Sequence, residues 1–468
     1  MNKECFYMIH TCNNRKWYVE QYLIPSLLLQ GIDLDHIILW LDKDKQGCLY
    51  SCMNAFKSLE GKEGCTWHLQ DDIIICSDFK QKTEEYQDVA AVVCGYCYDR
   101  LKDQPEGSTQ PADMWYSFPC IKIDNELAAA AANWFFKKGR YEPKYAKFVS
   151  TGKYDDTMFK AYLEEFYKDD YIIYNLKPNI VDHVDYLIGG SIANKYRDQI
   201  RASTPAAFFE EPERVEELKK ILNEKKDLKV AAYCGTRNLY KDMVPAFKSL
   251  LVNSNVDKIY LIIEDDEFPY PLPPEVETIN VSGQGYFKKD GPNMSSRFTY
   301  MAMMRATLPF LLPQYDKVLS LDIDTIVVDD ISDLWDIDLE DNYFAAVIEP
   351  DRCVGGKYYK GGCRIYYNAG VVMYNLKQLR DRKGMEVIKS LNNHRWPFLE
   401  QDCMNELCEG RIASLANDYN CTNYSDYLIC GRSFDPKIVH YAAIKEWQDY
   451  PEVKMYRDMK ISDGEFEF

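Results

Sequence analysis

The run VLSLDIDTIVV, Val318–Val328, decides how the chain is read. An apolar stretch meets Asp322-Ile323-Asp324, and an apolar, β-branched stretch resumes at Thr325. Side chains alternate along a strand, so the two aspartates share one side at its C-terminal end. In open α/β sheets ligands bind beyond that end. Two carboxylates there can share a hard divalent cation, with positions left over for diphosphate oxygens. Such a cation stabilises the charge on a departing nucleoside diphosphate. A solvated acidic turn is the plainer reading of such a triplet, and Asp265-Asp266 in IIEDDEF is read that way.

Outward from this run, one plan occurs twice. FYMIH (Phe6–His10) leads through a polar turn to an apolar-periodic helix around Val19–Leu29, then to IILWL (Ile37–Leu41). VAAY (Val230–Tyr233) leads through CGTRNLY to a helix around Val244–Val252, then to IYLII (Ile259–Ile263). Strand, helix, strand at this spacing predicts βαβ units in a mostly parallel sheet. Its double occurrence predicts two α/β domains, residues 1–205 and 229–468. Pro205 and the segment EEPERVEELKKILNEKKD (Glu210–Asp227) predict a helical linker over 206–228. The segment starts acidic and ends basic, as the helix dipole favours, and interleaves charges at i,i+4.

Composition sets the class. A chain of 468 residues suits two or three domains at roughly 150 residues each. Hydrophobic residues at 46% and charged ones at 28% indicate a globular chain rather than a disordered one. The net charge of −18 argues against nucleic acid as a partner, because that binding neutralises phosphates with Lys and Arg. It also disfavours docking on anionic lipid. The N-terminal MNKECFYMIHTCNN has no apolar leader, and no run is apolar for the length of a membrane span. A cytoplasmic protein is expected. Its 16 cysteines then read as reduced, mostly buried thiols. Cys94 and Cys97 form a CxxC with no second pair at zinc-ribbon spacing, and read as packing. The 36 tyrosines fit either core packing or flat surfaces that stack sugars.

Four segments carry a family resemblance. LLPQYDKVLSLDIDTIVVDDISDLWDIDL (Leu311–Leu339) resembles the core of glycosyltransferase family 8, which includes glycogenin and bacterial lipopolysaccharide galactosyltransferases. YYNAGVVMYNL (Tyr366–Leu376) is similar to the family's NAGxxxxNL, Glu400-Gln401-Asp402 to its DQD, and HYAAIKEW (His440–Trp447) to its HxxGxxKPW. The resemblance implies a GT-A (Rossmann-like, nucleotide-diphospho-sugar transferase) fold, a UDP-sugar donor, Mn²⁺ or Mg²⁺, and retention at the anomeric carbon. It makes Asp322, Asp324 and His440 the metal ligands, with Asp322 also near the ribose. Lys445 would hold the diphosphate. Arg305 matches a donor-binding basic position, and Thr236 and Asn238 match nucleotide contacts. Asn368 and Gly370 would line the middle of the site. Gln401 aligns with the residue at the donor's reactive face, and a neutral amide is a poor nucleophile. A front-face substitution is therefore expected, with Gln401 and Asp402 stabilising positive charge on the sugar and Glu400 as a reserve nucleophile. Two departures stand out. Glu400 replaces the first Asp of DQD, and HYAAIKEW lacks the family glycine, shortens the His-to-Lys spacing by one and has Glu446 for Pro.

The first half resembles a second GT-A-type domain, so the expected fold is α/β with two such domains in tandem. WHLQDDIIICSDF (Trp67–Phe79) sets Asp71 and Asp72 in an apolar segment, like the xDD variants of DxD. Phe6–Arg15 would supply the nucleotide-side loop, and Trp115-Tyr116-Ser117 an acceptor wall. Asp155 and Asp156 read either as helix caps or as a general base. His183 reads either as a packed histidine or as a ligand. Three functions follow: two transferases adding successive sugars, one C-terminal transferase with an acceptor- or partner-binding first domain, or a non-catalytic nucleotide-sugar-binding scaffold. Members of the resembling family that modify lipid-linked sugars often end in a basic, aromatic tail. The final KMYRDMKISDGEFEF is mixed and then acidic, so the resemblance implies a soluble carbohydrate or protein acceptor over a membrane lipid.

Overall fold

The computed structural model describes residues 4–43, 46–97, 109–111, 118–152, 155–188, 209–224, 227–349, 365–422, 435–462 and 465–467. They form two compact units, Met1–Asn223 and Glu224–Phe468. The first contains β1 (Cys5–Thr11), β2 (Ile37–Leu41), β3 (Cys65–Gln70), β4 (Ile73–Ile75), β5 (Val92–Cys94), β6 (Thr109–Gln110), β7 (Cys120–Asp124), β8 (Ile173–Asn175) and β9 (Val181–His183). Its main sheet has the order β2-β1-β3-β7-β5-β8-β6. Strand β1 runs parallel to β2 and β3, β7 runs antiparallel to β3 and β5, and β5 runs parallel to β8. Met8, Phe56, Ile121, Phe135 and Phe159 fill the core on one face.

The second unit contains β10 (Val230–Cys234), β11 (Lys258–Ile263), β12 (Val276–Asn280), β13 (Lys317–Leu321), β14 (Thr325–Val327), β15 (Phe344–Ile348), β16 (Tyr367–Asn375), β17 (Ile412–Ser414), β18 (Cys421–Thr422) and β19 (Ile438–His440). The sheet order is β12-β11-β10-β13-β16-β15-β17. Strands β10, β11 and β13 are parallel, β16 is antiparallel to β13 and β15, and β15 is parallel to β17. In β11 every residue after Lys258 is buried, as an interior parallel strand covered on both faces requires. Phe247, Leu261, Leu319 and Val371 lie in its core.

Set in sequence along their sheets, β2-β1-β3-β7-β5-β8 and β11-β10-β13-β16-β15-β17 have the same order and the same directions. Both units are therefore α/β with one strand plan. Periodicity reveals only the opening βαβ of each, because β5, β8 and β17 are three residues long. Beside each main sheet lies a small ladder, β4 with β9 in one unit and β14 with β19 and β18 in the other. The predicted linker segment forms helix Pro212–Asn223. It is not solvated all round: Val215 and Leu218 are buried, and Arg214 Nε donates to Ile75 O at 3.1 Å, within the first unit.

Candidate active site

Strand β13 ends at Leu321, and Asp322 N donates to Gly370 O at 2.8 Å. Thr325 Oγ1 donates back to Asp322 O at 2.6 Å, which closes the acidic turn. The chain then pairs as β14 against β19, which sets Thr325 opposite His440, and Tyr441 N donates to Asp324 O at 2.9 Å. His440 Nε2 lies 3.3 Å from Asp324 Oδ1 and 3.7 Å from Asp322 Oδ2. One ligand atom from each of the three lies within 4.8 Å of the others, a group that could hold a metal ion.

The imidazole's tautomer follows from its partners. Asn420 Nδ2 donates to Asn368 Oδ1, so Asn420 Oδ1 is the acceptor that meets His440 Nδ1 at 2.8 Å. Nδ1 then donates to Asn420, and Nε2 is the nitrogen that faces the acids, protonated when it pairs with them and free to ligate a cation once that proton is lost. Asn368 Nδ2 donates onward to buried Glu349 at 2.6 Å. Gly370 is needed for the ring: a Cβ there would lie 2.2 Å from His440 Cε1. Burial lowers the His440 pKa, but Asp324 and Asp322 outweigh it and leave it above its ordinary value. Burial likewise pushes Asp322 up against Arg305, whereas His440 holds Asp324 below the usual carboxylate range despite burial.

Arg305 lies on a 3₁₀ turn and is 6% exposed. Its Nη1 donates to Asp322 Oδ1 at 2.5 Å and to Ala369 O, and its Nη2 donates to Glu400 Oε1. Among the described residues, buried Glu400 Oε2 has no hydrogen-bond partner. Burial raises the Glu400 pKa to about 7 even with the guanidinium beside it. Gln401, one residue on along helix Leu399–Leu407, accepts Ala369 N–H at 2.8 Å and donates to Tyr366 Oη at 3.0 Å. Asp402 accepts both the Tyr366 hydroxyl and Phe398 N–H, the latter at 2.8 Å.

Thr236 and Asn238 follow the C-terminal end of β10 and bond each other at 2.7 Å. Lys445 is exposed on the turn after β19. Ala443 stands where the resembling motif has glycine, and its φ of +59° keeps the left-handed backbone that glycine would supply. Trp447 is buried and stacks on Tyr441.

In the first unit, Arg15 Nη1 bridges Asp71 Oδ1 at 3.0 Å and Asp72 Oδ2 at 2.5 Å. His183 Nδ1 lies 3.6 Å from Asp72 Oδ1. Burial and the Asp72 charge raise Asp71 to about 6, while His183 and Arg15 hold Asp72 low against burial. Asp155 and Asp156 form the first turn of helix Asp155–Phe166. Asp155 is half-buried, bonds the Cys48 thiol, and desolvation with the Asp156 charge raises it to about 6. These contacts do not bring it to the Asp71–Asp72–His183 cluster. Trp115, Tyr116 and Ser117 lie outside the described residues. A further group, Cys76, Asp78 and Glu211, has its acids engaged: Asp78 pairs with Lys82, and Glu211 accepts from Ser77.

Sequence reasoning missed Glu349, Asn420, Tyr366 and the pairing of Arg15 with both acids. Only Glu349 left a signal, an acid ending the apolar run FAAVI. Asn420 is unremarkable until β18 pairs with β19 and sets its neighbours against His440.

Fold and site together are those of an α/β enzyme that takes its ligand at the C-terminal ends of parallel strands. The family model "Glycosyl transferase family 8" matches residues 215–450. The chain belongs to glycosyl transferase family 8, and its second unit is a glycosyltransferase domain. Among similar proteins of Streptococcus pneumoniae serotype 4, glycosyltransferase GlyD is 28% identical over 239 residues, covering 47% of this chain and 26% of GlyD. Glycosyltransferase GlyE is 25% identical over 210 residues, covering 42% of this chain and 49% of GlyE. The chain thus spans less than half the length of these curated relatives. Among solved structures, galactosyltransferase LgtC with donor and acceptor sugar analogs aligns at TM-score 0.41 and 18% identity, covering 49% of this chain and 95% of LgtC. The WbbM bifunctional glycosyltransferase aligns at TM-score 0.40 and 12% identity, covering 97% and 99%. The fold described above rests on this chain's own strand order. Among the described residues no helix is long and apolar enough to cross a membrane.

Proposed function

We propose that the second unit transfers a hexose, glucose or galactose, from a UDP-sugar to a carbohydrate or protein acceptor with retention at the anomeric carbon. The observation that carries this reading is the Asp322–Asp324–His440 group beside Glu400-Gln401-Asp402. Two carboxylates and an imidazole that gives up its Nε2 proton on binding suit Mn²⁺ or Mg²⁺, and such an ion would neutralise charge on the diphosphate leaving group. Thr236 and Asn238 would receive the nucleotide at the end of β10. Lys445, exposed after β19, would add positive charge toward the diphosphate.

The remaining residues serve the sugar. Gln401 keeps a lone pair on its carbonyl oxygen beyond the one that Ala369 N–H occupies, and that oxygen can face a positively charged sugar ring. Asp402 holds Gln401 through the shared Tyr366 hydroxyl. Glu400, buried and braced by Arg305, is the reserve nucleophile. These parts support substitution from the donor's front face. The test is UDP release by the purified chain with Mn²⁺ across a panel of nucleotide sugars. One sugar should be hydrolysed, and Asp324→Ala should abolish the release; release that survives this substitution overturns the reading.

A further inference from the structure

The first unit repeats the backbone that builds the second unit's acid–imidazole group. Gln70 N donates to Pro119 O at 2.9 Å, as Asp322 N does to Gly370 O at 2.8 Å. Val184 N donates to Asp72 O at 2.8 Å, as Tyr441 N does to Asp324 O at 2.9 Å. Ile73 pairs opposite His183, as Thr325 pairs opposite His440. Gln70, Asp72 and His183 therefore hold the backbone positions of Asp322, Asp324 and His440.

The side chains supply an independent sign. Thr11 and Arg15 satisfy both oxygens of Asp71, and Arg15 satisfies Asp72 Oδ2. Asp72 is 8% exposed, and among the described residues its buried Oδ1 has no hydrogen-bond donor. The His183 ring nitrogen, 3.6 Å away, pairs with it electrostatically but is too far for a hydrogen bond, which leaves this oxygen able to take a cation. It sits at the C-terminal ends of parallel strands β1 and β3, where an α/β sheet takes ligands.

We propose that the first unit has its own divalent-cation site, formed by Asp72 Oδ1 and His183 with Gln70 as third ligand, and completed by a nucleoside diphosphate. This rests on reading the second unit's group as a cation site. An amide replaces one carboxylate, so the first site offers one negative charge where the second offers two. It holds its cation weakly until diphosphate oxygens complete the shell. Uptake there depends on nucleotide.

Equilibrium dialysis of the full-length protein against Mn²⁺, with and without UDP, GDP or ADP, tests this. With the right nucleotide the wild type should bind two equivalents, and Asp324→Ala, Asp72→Asn and His183→Gln one each. Without nucleotide, Asp324→Ala should bind at least tenfold more weakly. Because Asp72→Asn disturbs the Arg15 pair, His183→Gln decides if that variant does not fold. If the wild type binds one equivalent and Asp324→Ala none, the first-unit site is overturned while the second-unit reading stands. If Asp324→Ala changes nothing and His183→Gln removes the bound ion, the first site stands and the second-unit reading fails.

Discussion

The two units share a strand plan and differ in how charge is placed on it. In each, a helix opening with acids precedes the strand that pairs parallel to β5 in the first unit and to β15 in the second. Glu400 opens one and Asp155 the other. In the second unit the acid meets Arg305, which also grips Asp322. In the first it meets Cys48, and the arginine lies instead across Asp71 and Asp72. Backbone topology thus fixes where acids and imidazole gather, while a few side chains decide how many charges face a ligand.

Substitution of the arginines probes that difference most strongly. Arg305→Leu leaves buried Glu400 without its cation, while half-buried Asp322 still faces His440, and should cost about 3–5 kcal/mol in urea unfolding. Arg15→Leu should cost less, because Thr11 still serves Asp71 and His183 still faces Asp72. Equal losses would break the comparison. Next comes Gly370→Ala, whose methyl drives His440 off its acids; Mn²⁺ affinity and UDP release should fall about 10–100-fold. Pro119→Ala, at the matching first-unit position, should leave that release unchanged.

Burial of Asp155 beside the Asp156 charge predicts a pH effect without an ion pair. The Asp155 pKa is raised to about 6, so the folded state binds its proton more tightly than the unfolded chain does. Its contribution is therefore favourable at low pH and lost as pH rises through about 6. Asp155→Asn should match the wild type near pH 4 and exceed its stability by about 1–2 kcal/mol at pH 7, the value being cut by partial exposure. An unchanged difference between those pH values would remove the desolvation argument. The smallest effect is at Ala443, whose φ of +59° costs about 1 kcal/mol relative to glycine. Ala443→Gly should stabilise by that amount in the same assay.

Much of this was legible in the chain. Apolar runs mark β1, β2, β10, β11 and β13 because each has five or more residues and all but the edge strand β2 are interior. Three-residue strands such as β5 and β17 carry too little pattern to be seen, and the shared sheet order stayed hidden with them. The resemblance places Gly370 only in the middle of the site, yet its neighbour is an imidazole from far along the chain. Glu349, Asn368, Asn420 and His440 form one hydrogen-bonded line, though they belong to four separate segments of sequence. No local spacing encodes such a line. The His183–Asp72 approach is of the same kind: each residue has an ordinary local reading, and only the β4–β9 ladder joins them.

The small ladders also set an order of completion. Every strand of the second unit's main sheet has been synthesised by Ser414, whereas His440 emerges later. In the first unit the sheet is complete at Asn175 and its imidazole follows at His183. Domains tend to fold as units while the ribosome is still at work. Each nascent unit can therefore pair its main sheet with its acids already in place but the imidazole still missing. The imidazole is thus the last part of each acid–imidazole group to be synthesised, and His183 is made before any strand of the second unit.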